Sequence, residues 1–414
     1  MQHLITKSDK TLYGEVTLPS SKSISNRILI INALSYSPYE IDNLSDSDDT
    51  RVLEKVLNSN TSHFDIGHAG TAMRFLTAFL SKIAGEWTVT GSERMKQRPI
   101  GILVDALRNL GASIEYTEKV GFPPLRILGT SLKGGVIELD GSISSQYISA
   151  LLMIAPTIQG GLTLKLSGQL TSKPYIDLTL QLMRQFGVQH TWDGNDIRIS
   201  EQHYEPIKFS VEADWSGASY WYAMAALSDN CNLLLKGLRL QSLQGDANQA
   251  EWFRRYFGVI SLQEGNHVRL TKLEIARPRI VELDFIENPD IAQTFAVLAV
   301  CKEIPFHFKG LLTLKIKETD RILALKDELS RFGVTVTEPA SGELAWDGTF
   351  DRQKIDHPPV IQTYHDHRMA LAFAPAAMTH SQIIIDDPQV ITKSYPRYWE
   401  DLKKVGFKIS ECNS

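Results

Sequence analysis

The stretch DALRNLGASIEY, residues 105–116, reads as the end of an amphipathic helix, then a glycine, then a strand. The same phrase returns as LQLMRQFGVQHTW at 180–192, EWFRRYFGVISLQ at 251–263, DELSRFGVTVTE at 327–338 and WEDLKKVGFKIS at 399–410. Its glycines fall at 111, 187, 258, 333 and 406, between 71 and 76 residues apart. Glycine suits a helix C-terminus because the next residue there turns left-handed. A repeat of about 73 residues leaves room for about six units in 414 residues, each mixed α/β with two helices.

A second phrase lies between these: a short polar turn followed by a helix that is apolar nearly all round. The turns are PSSKSISNR (19–27), GHAGTAMR (67–74), GSISSQY (141–147), ADWSGASY (213–220), ENPDIAQ (287–293) and YHDHRM (364–369). Helices apolar on every face are buried, whereas those such as LKDELSRF are amphipathic and belong on the outside. Strands such as LTLKLSG (162–168) and QIIIDD (382–387) separate them. Buried helices whose N-termini converge form a positive pocket, because free N–H groups carry partial positive charge. Lys22 and Arg27, set into a Ser-rich helix start, then read as waiting for a small, multiply charged anion; alone they would be solvated surface charges.

Composition narrows the field. A net charge of -5 and a pI near 6.1 give no basic excess for nucleic acid, so anion recognition is local. Cys231, Cys301 and Cys412 share no metal or disulfide spacing. The start MQHLITKSDKTLYGEV has no signal-peptide core, and no apolar run approaches the roughly 20 residues of a membrane span. The expectation is a soluble, cytoplasmic protein with no membrane or nucleic-acid partner.

Ser23 and Arg27 share a helix face, with Lys22 at its mouth. This is no P-loop, because Ser21 precedes Lys22 where that motif needs Gly. GHAGTAMR offers Gly70 for close backbone approach and Arg74 in the next turn; RMKQRP (94–99) supplies Arg98, or is a solvated loop. Ser144, Ser145 and Gln146, and later Ser172 and Tyr175, are neutral donors at helix starts, where capping is the plainer reading. ENPDIAQ places Asp290 at a buried helix start, KETDR places Glu318 between Lys317 and Arg321, and YHDHR sets Asp366 and His367 beside Arg368. A carboxylate among cations stays ionised and can take a proton from a hydroxyl those cations polarise, though each is singly explained as a cap. His365 and His367 lack the third ligand of a metal site, and no nucleophile motif is present.

The ordered set LPSSKSISNR, GHAGTAMR, RMKQRPIG, SSQY, SKPYID, QGD, PD before an apolar helix, KETDR, DHRMA and TKSYPRYW resembles the 5-enolpyruvylshikimate-3-phosphate synthase family of enolpyruvyl transferases, from about residue 14 to 404. That resemblance implies an α/β (α+β) fold of two domains, each of three βαβαββ units around buried helices. The domains would be 21–211, and 1–20 with 212–414, with the site in the cleft between them. It implies transfer of the enolpyruvyl group of phosphoenolpyruvate to the 5-hydroxyl of shikimate 3-phosphate, with no metal or cofactor, by a monomer open to inhibition by glyphosate. Shikimate 3-phosphate would be held by Lys22, Ser23, Arg27, Ser144, Ser145, Gln146, Ser172, Tyr175, Asp290 and Lys317. Phosphoenolpyruvate would be held by Lys22, Gly70, Arg98, Gln146, Arg321, Arg368 and Lys393. Asp290 and Glu318 would transfer protons and Lys22 would stabilise charge, while Arg74 matches an arginine with a structural or indirect role.

Three positions depart from the family pattern: His68 for Asn, Phe75 for Pro after Arg74, and Thr313 for Asn four residues before Lys317. Thr313 puts one contact to shikimate 3-phosphate in question, and His68 and Phe75 the details of the phosphoenolpyruvate pocket. The nearest alternative is a UDP-N-acetylglucosamine enolpyruvyl transferase, which carries a reactive Cys in the loop matched by RMKQRP; this chain has none before Cys231. A non-catalytic anion binder on the same scaffold would have no use for Asp290 and Glu318 together.

Overall fold

The structure, a computed structural model, describes residues 1–142, 144–168 and 170–412. The chain divides into two compact units, Ser20–Val211, and Met1–Pro19 with Glu212–Ser414. In Ser20–Val211 the main helices are α1 (Lys22–Leu34), α2 (Asp48–Leu57), α3 (Gly70–Lys82), α4 (Gly101–Asn109), α5 (Ser145–Ile154) and α6 (Lys173–Gln185). In the other unit they are α7 (Trp215–Leu227), α8 (Gln249–Phe257), α9 (Ala292–Cys301), α10 (Arg321–Ser330), α11 (His367–Phe373) and α12 (Tyr398–Lys404). The odd-numbered helices α1, α3, α5, α7, α9 and α11 are the apolar ones: every residue of α11 is buried, and all but Ser216 in α7.

Each of the five repeat glycines takes a positive φ, from +66° at Gly258 to +95° at Gly111. Gly258 is itself the C-cap of α8, whereas Gly333 lies inside the short strand Phe332–Val334 beyond α10. A Cβ there would sit 2.4 Å from the Asp351 carbonyl, so glycine serves strand approach as well as the turn.

The repeat is plainest in 63–129 and 133–199. In the first, His63–Asp65 runs parallel to Gly85–Thr90 across α3, and α4 leads to the antiparallel strands Ser113–Tyr116 and Leu125–Gly129. In the second, Lys133–Asp140 and Gln159–Ser167 pair in parallel around α5, and α6 leads to the hairpin Thr191–Asp193 with Asp196–Ile199. The unit around α1 and α2 is reduced to a parallel pair, Ile41–Asp42 with Phe209–Ser210. Its upstream strands have gone elsewhere: Thr11–Thr17 pairs with Asn230–Lys236, and Gln2–Thr6 lies between Gln382–Asp386 and Lys408–Cys412. The core of that second unit is rich in rings, with Phe295 of α9 touching Trp252, Phe253, Phe257 and Phe285.

Candidate active site

In Ser20–Val211, Ser21 caps α1 by accepting from the Ile24 N–H, which leaves Lys22 in the first turn. Its ammonium is 3.7 Å from the Asp49 carboxylate of α2, so Lys22 already has an anionic neighbour. Sequence reading missed Asp49, which looks like one more acid in SDSDDT. Arg27 differs. It is buried, and donates to Thr179 Oγ1 at 2.7 Å, the Ser23 carbonyl at 2.9 Å, Ser149 Oγ at 3.0 Å and the Tyr175 carbonyl at 3.3 Å. The rings of Phe75 and Tyr175 flank its guanidinium at 5.5 and 5.9 Å. Among the described residues no carboxylate pairs with it, and burial pushes its pKa down to about 10, which leaves it protonated at neutral pH. A buried cation held only by neutral groups is the local positive field an anion needs.

Gly70 opens α3 directly beneath Arg98: a Cβ on Gly70 would lie 2.5 Å from Arg98 Nη1. Arg98 Nε is buried without a hydrogen-bond partner among the described residues. Gln146 donates to Thr71 Oγ1 at 3.3 Å, which ties the start of α5 to the start of α3. Ser144 caps α5 through the Gln146 N–H, whereas Ile143 beside it lies outside the described residues. Ser172 corrects the capping expectation: its φ is +55°, left-handed, and its hydroxyl makes no cap bond. Among the described residues the protein also leaves the hydroxyls of Ser23 and Ser145 free of hydrogen bonds. Arg74 is buried in structural contacts, to the Gly70 carbonyl at 3.1 Å and the Pro99 carbonyl at 3.2 Å.

In the other unit the charged motifs form one cluster. Asp290 does not cap α9; it sits in a 3-10 turn, Pro289–Ile291, and its oxygens go to Arg321 Nη1 at 3.1 Å, Arg368 Nη2 at 3.0 Å and Lys317 Nζ at 3.6 Å. Glu318 meets Arg321 Nη2 at 2.9 Å and Lys393 Nζ at 2.7 Å. Asp366, fully buried, takes Arg321 Nε at 2.7 Å and Nη2 at 3.2 Å while it caps the Arg368 N–H. The cap of α10 is Asp320. Among the described residues, Lys317, Arg321, Arg368 and Lys393 are thus interleaved with Asp290, Glu318 and Asp366.

Burial alone would raise the Asp290 pKa, but Arg368, Lys317 and Arg321 outweigh it and hold the carboxyl well below its usual range. Burial lowers the pKa of Lys317, with Asp290 opposing and Arg321 adding to the shift. Arg321 is held up by Asp366, Glu318 and Asp290 against its own burial. The cluster thus presents an ionised carboxylate ringed by cations, which can position an anion and receive a proton beside it.

The departures have visible settings. His68 Nδ1 meets Ser92 Oγ at 3.0 Å, Phe75 supplies a ring to Arg27, and Thr313 Oγ1 is buried with no partner among the described residues. His365 reaches out to Asp387 at 3.1 Å, whereas His367 is buried against Asp366, so the two diverge. Among the described residues no helix is long and apolar enough to cross a membrane.

The fold is that of the enolpyruvyl transferases. It is similar to a solved EPSP synthase from Acinetobacter baumannii, with a TM-score of 0.77 at 20% identity over 99% of this chain and all of that one. The enolpyruvyl transferase NikO from Streptomyces tendae gives 0.76 at 17% identity, covering 100% and 99%. The family model described as EPSP synthase (3-phosphoshikimate 1-carboxyvinyltransferase) matches residues 6–59 and 53–402. A 3-phosphoshikimate 1-carboxyvinyltransferase from Bacteroides fragilis is 52% identical over 99% of both chains, and one from Vibrio cholerae 38% identical over 97% of this chain and 98% of its own. The chain belongs to the EPSP synthase family.

Proposed function

We infer that the chain transfers the enolpyruvyl group of phosphoenolpyruvate to the 5-hydroxyl of shikimate 3-phosphate and releases phosphate. The observation that supports this most is Asp290, an ionised carboxylate in contact with Lys317, Arg321 and Arg368. In the addition step the 5-oxygen bonds to C2 of phosphoenolpyruvate, its proton passes to Asp290, and a proton from the Lys22 ammonium turns the methylene into a methyl group, with the ionised Glu318 a proton acceptor in the same transfers. In the elimination step the C2–O bond to phosphate breaks and the methyl group returns one proton, which restores the double bond. Arg98, Arg321, Arg368 and Lys393, with Lys22, hold the phosphate and carboxylate of the donor, and Gly70 and Gln146 complete its site. Arg27, Ser23, Ser144, Ser145, Gln146, Ser172 and Tyr175 hold shikimate 3-phosphate, with Asp290 and Lys317 at the reacting end. On this reading the two units serve one reaction, carried out by a cytoplasmic monomer.

The test is phosphate release from phosphoenolpyruvate with shikimate 3-phosphate, with UDP-N-acetylglucosamine as the control acceptor. Release with the first acceptor only is expected; release with the second, or with neither, overturns the reading.

A further inference from the structure

Immediately ahead of Asp366, Tyr364 and His365 take φ values of +54° and +55°. Two successive non-glycine residues in the left-handed region need something to hold them. Glu328 of α10, fully buried, accepts from Tyr364 Oη at 2.7 Å, from the Gln362 N–H at 2.9 Å and from Arg331 Nε at 2.8 Å. Seven residues earlier on α10, two turns along the same face, Arg321 grips the Asp366 carboxylate. One helix therefore holds both ends of the left-handed turn. Beyond it, Asp366 caps the Arg368 N–H, and the Arg368 guanidinium reaches Asp290. Tying Glu328 to the half-exposed Arg331 would not require burying the carboxylate; its other two donors both come from the 362–364 segment.

We propose that Glu328 and the Tyr364 hydroxyl are positioning residues for the reaction inferred above, holding the left-handed turn that fixes where Asp366 and the donor-binding Arg368 stand. The proposal rests on that reading of Arg368. In Tyr364→Phe the KM for phosphoenolpyruvate should rise about tenfold with a smaller fall in kcat, while the KM for shikimate 3-phosphate stays within about twofold. A general loss of packing would move both KM values or neither. In an Arg368→Lys background the same change should have little further effect on donor affinity, because the hydroxyl acts through Arg368.

Wild-type turnover tests the reaction, and the donor-selective split tests the clamp, so the two can fail separately; without turnover the split is read as Kd values by calorimetry. Should Tyr364→Phe not fold, Glu328→Gln, which keeps the volume, carries the same expectation. Equal rises in both KM values, or a lowered melting temperature with both unchanged, overturns the proposal.

Discussion

Asp290 is ionised because its neighbours are cations, and the same neighbours make it a weak base. On the proposed reading the anionic groups of the substrates would relieve this by drawing on Arg368 and Lys317, so that basicity rises when there is a hydroxyl to deprotonate. Asp290→Asn keeps the shape and removes the basicity; turnover should fall by about two to four orders of magnitude while calorimetry still detects shikimate 3-phosphate binding. Near-normal turnover would leave Asp290 a structural ion-pair partner. Gly70→Ala places a methyl group against Arg98, whose guanidinium has to move. Phosphoenolpyruvate KM should rise several-fold, roughly the cost of loosening one charge-assisted contact, and the glyphosate inhibition constant more, since the longer inhibitor also presses on Gly70. An unchanged ratio of the two constants removes Gly70 from the inhibitor's footprint. The chemistry of these residues was legible in KETDR and DHRMA, but their pairing was not. Asp290 finds Arg321 31 residues away and Arg368 78 away, and no local pattern announces such partners. Nor did the acid-rich SDSDDT mark Asp49 as the neighbour of Lys22.

Among the elements, the buried helices and the repeat glycines were readable, because hydrophobicity on every face and a left-handed residue are local requirements. The 3-10 turn that turns Asp290 away from capping was not, since it is set by tertiary contacts. The end of α7 carries a further device: Lys272 Nζ donates to the carbonyls of Ala226 at 2.6 Å, Ser228 at 2.8 Å and Ala225 at 3.3 Å. Burial pushes its pKa down to about 8. An unfolded lysine titrates at about 10.4, so between about pH 8 and that value the unfolded chain binds more protons than the folded one, and this group's contribution to stability rises with pH. Denaturant midpoints of the wild type and Lys272→Met should therefore diverge in favour of the wild type as pH rises from about 7.5 to 10. A constant difference would mean the ammonium is not depressed.

At the scale of the whole molecule, two cores are joined by a chain that leaves one unit near residue 19 and returns near 212. Units with separate cores need not unfold together. Calorimetry without ligand should show two transitions, and shikimate 3-phosphate with glyphosate should raise both if, as proposed above, each unit supplies ligand-binding residues. If only one transition moves, the substrate contacts assigned to the other unit are wrong. The interleaving of strands bears also on synthesis. Strand Gln2–Thr6 pairs with 382–386 and 408–412, and Thr11–Thr17 with 230–236. On the ribosome, Ser20–Val211 is complete and able to fold while both strands upstream of it still lack partners, their backbone edges open to any neighbouring nascent chain. The second core closes only when residues near 412 emerge, whereas arrest of translation before residue 230 leaves both strands at the head of the chain without partners.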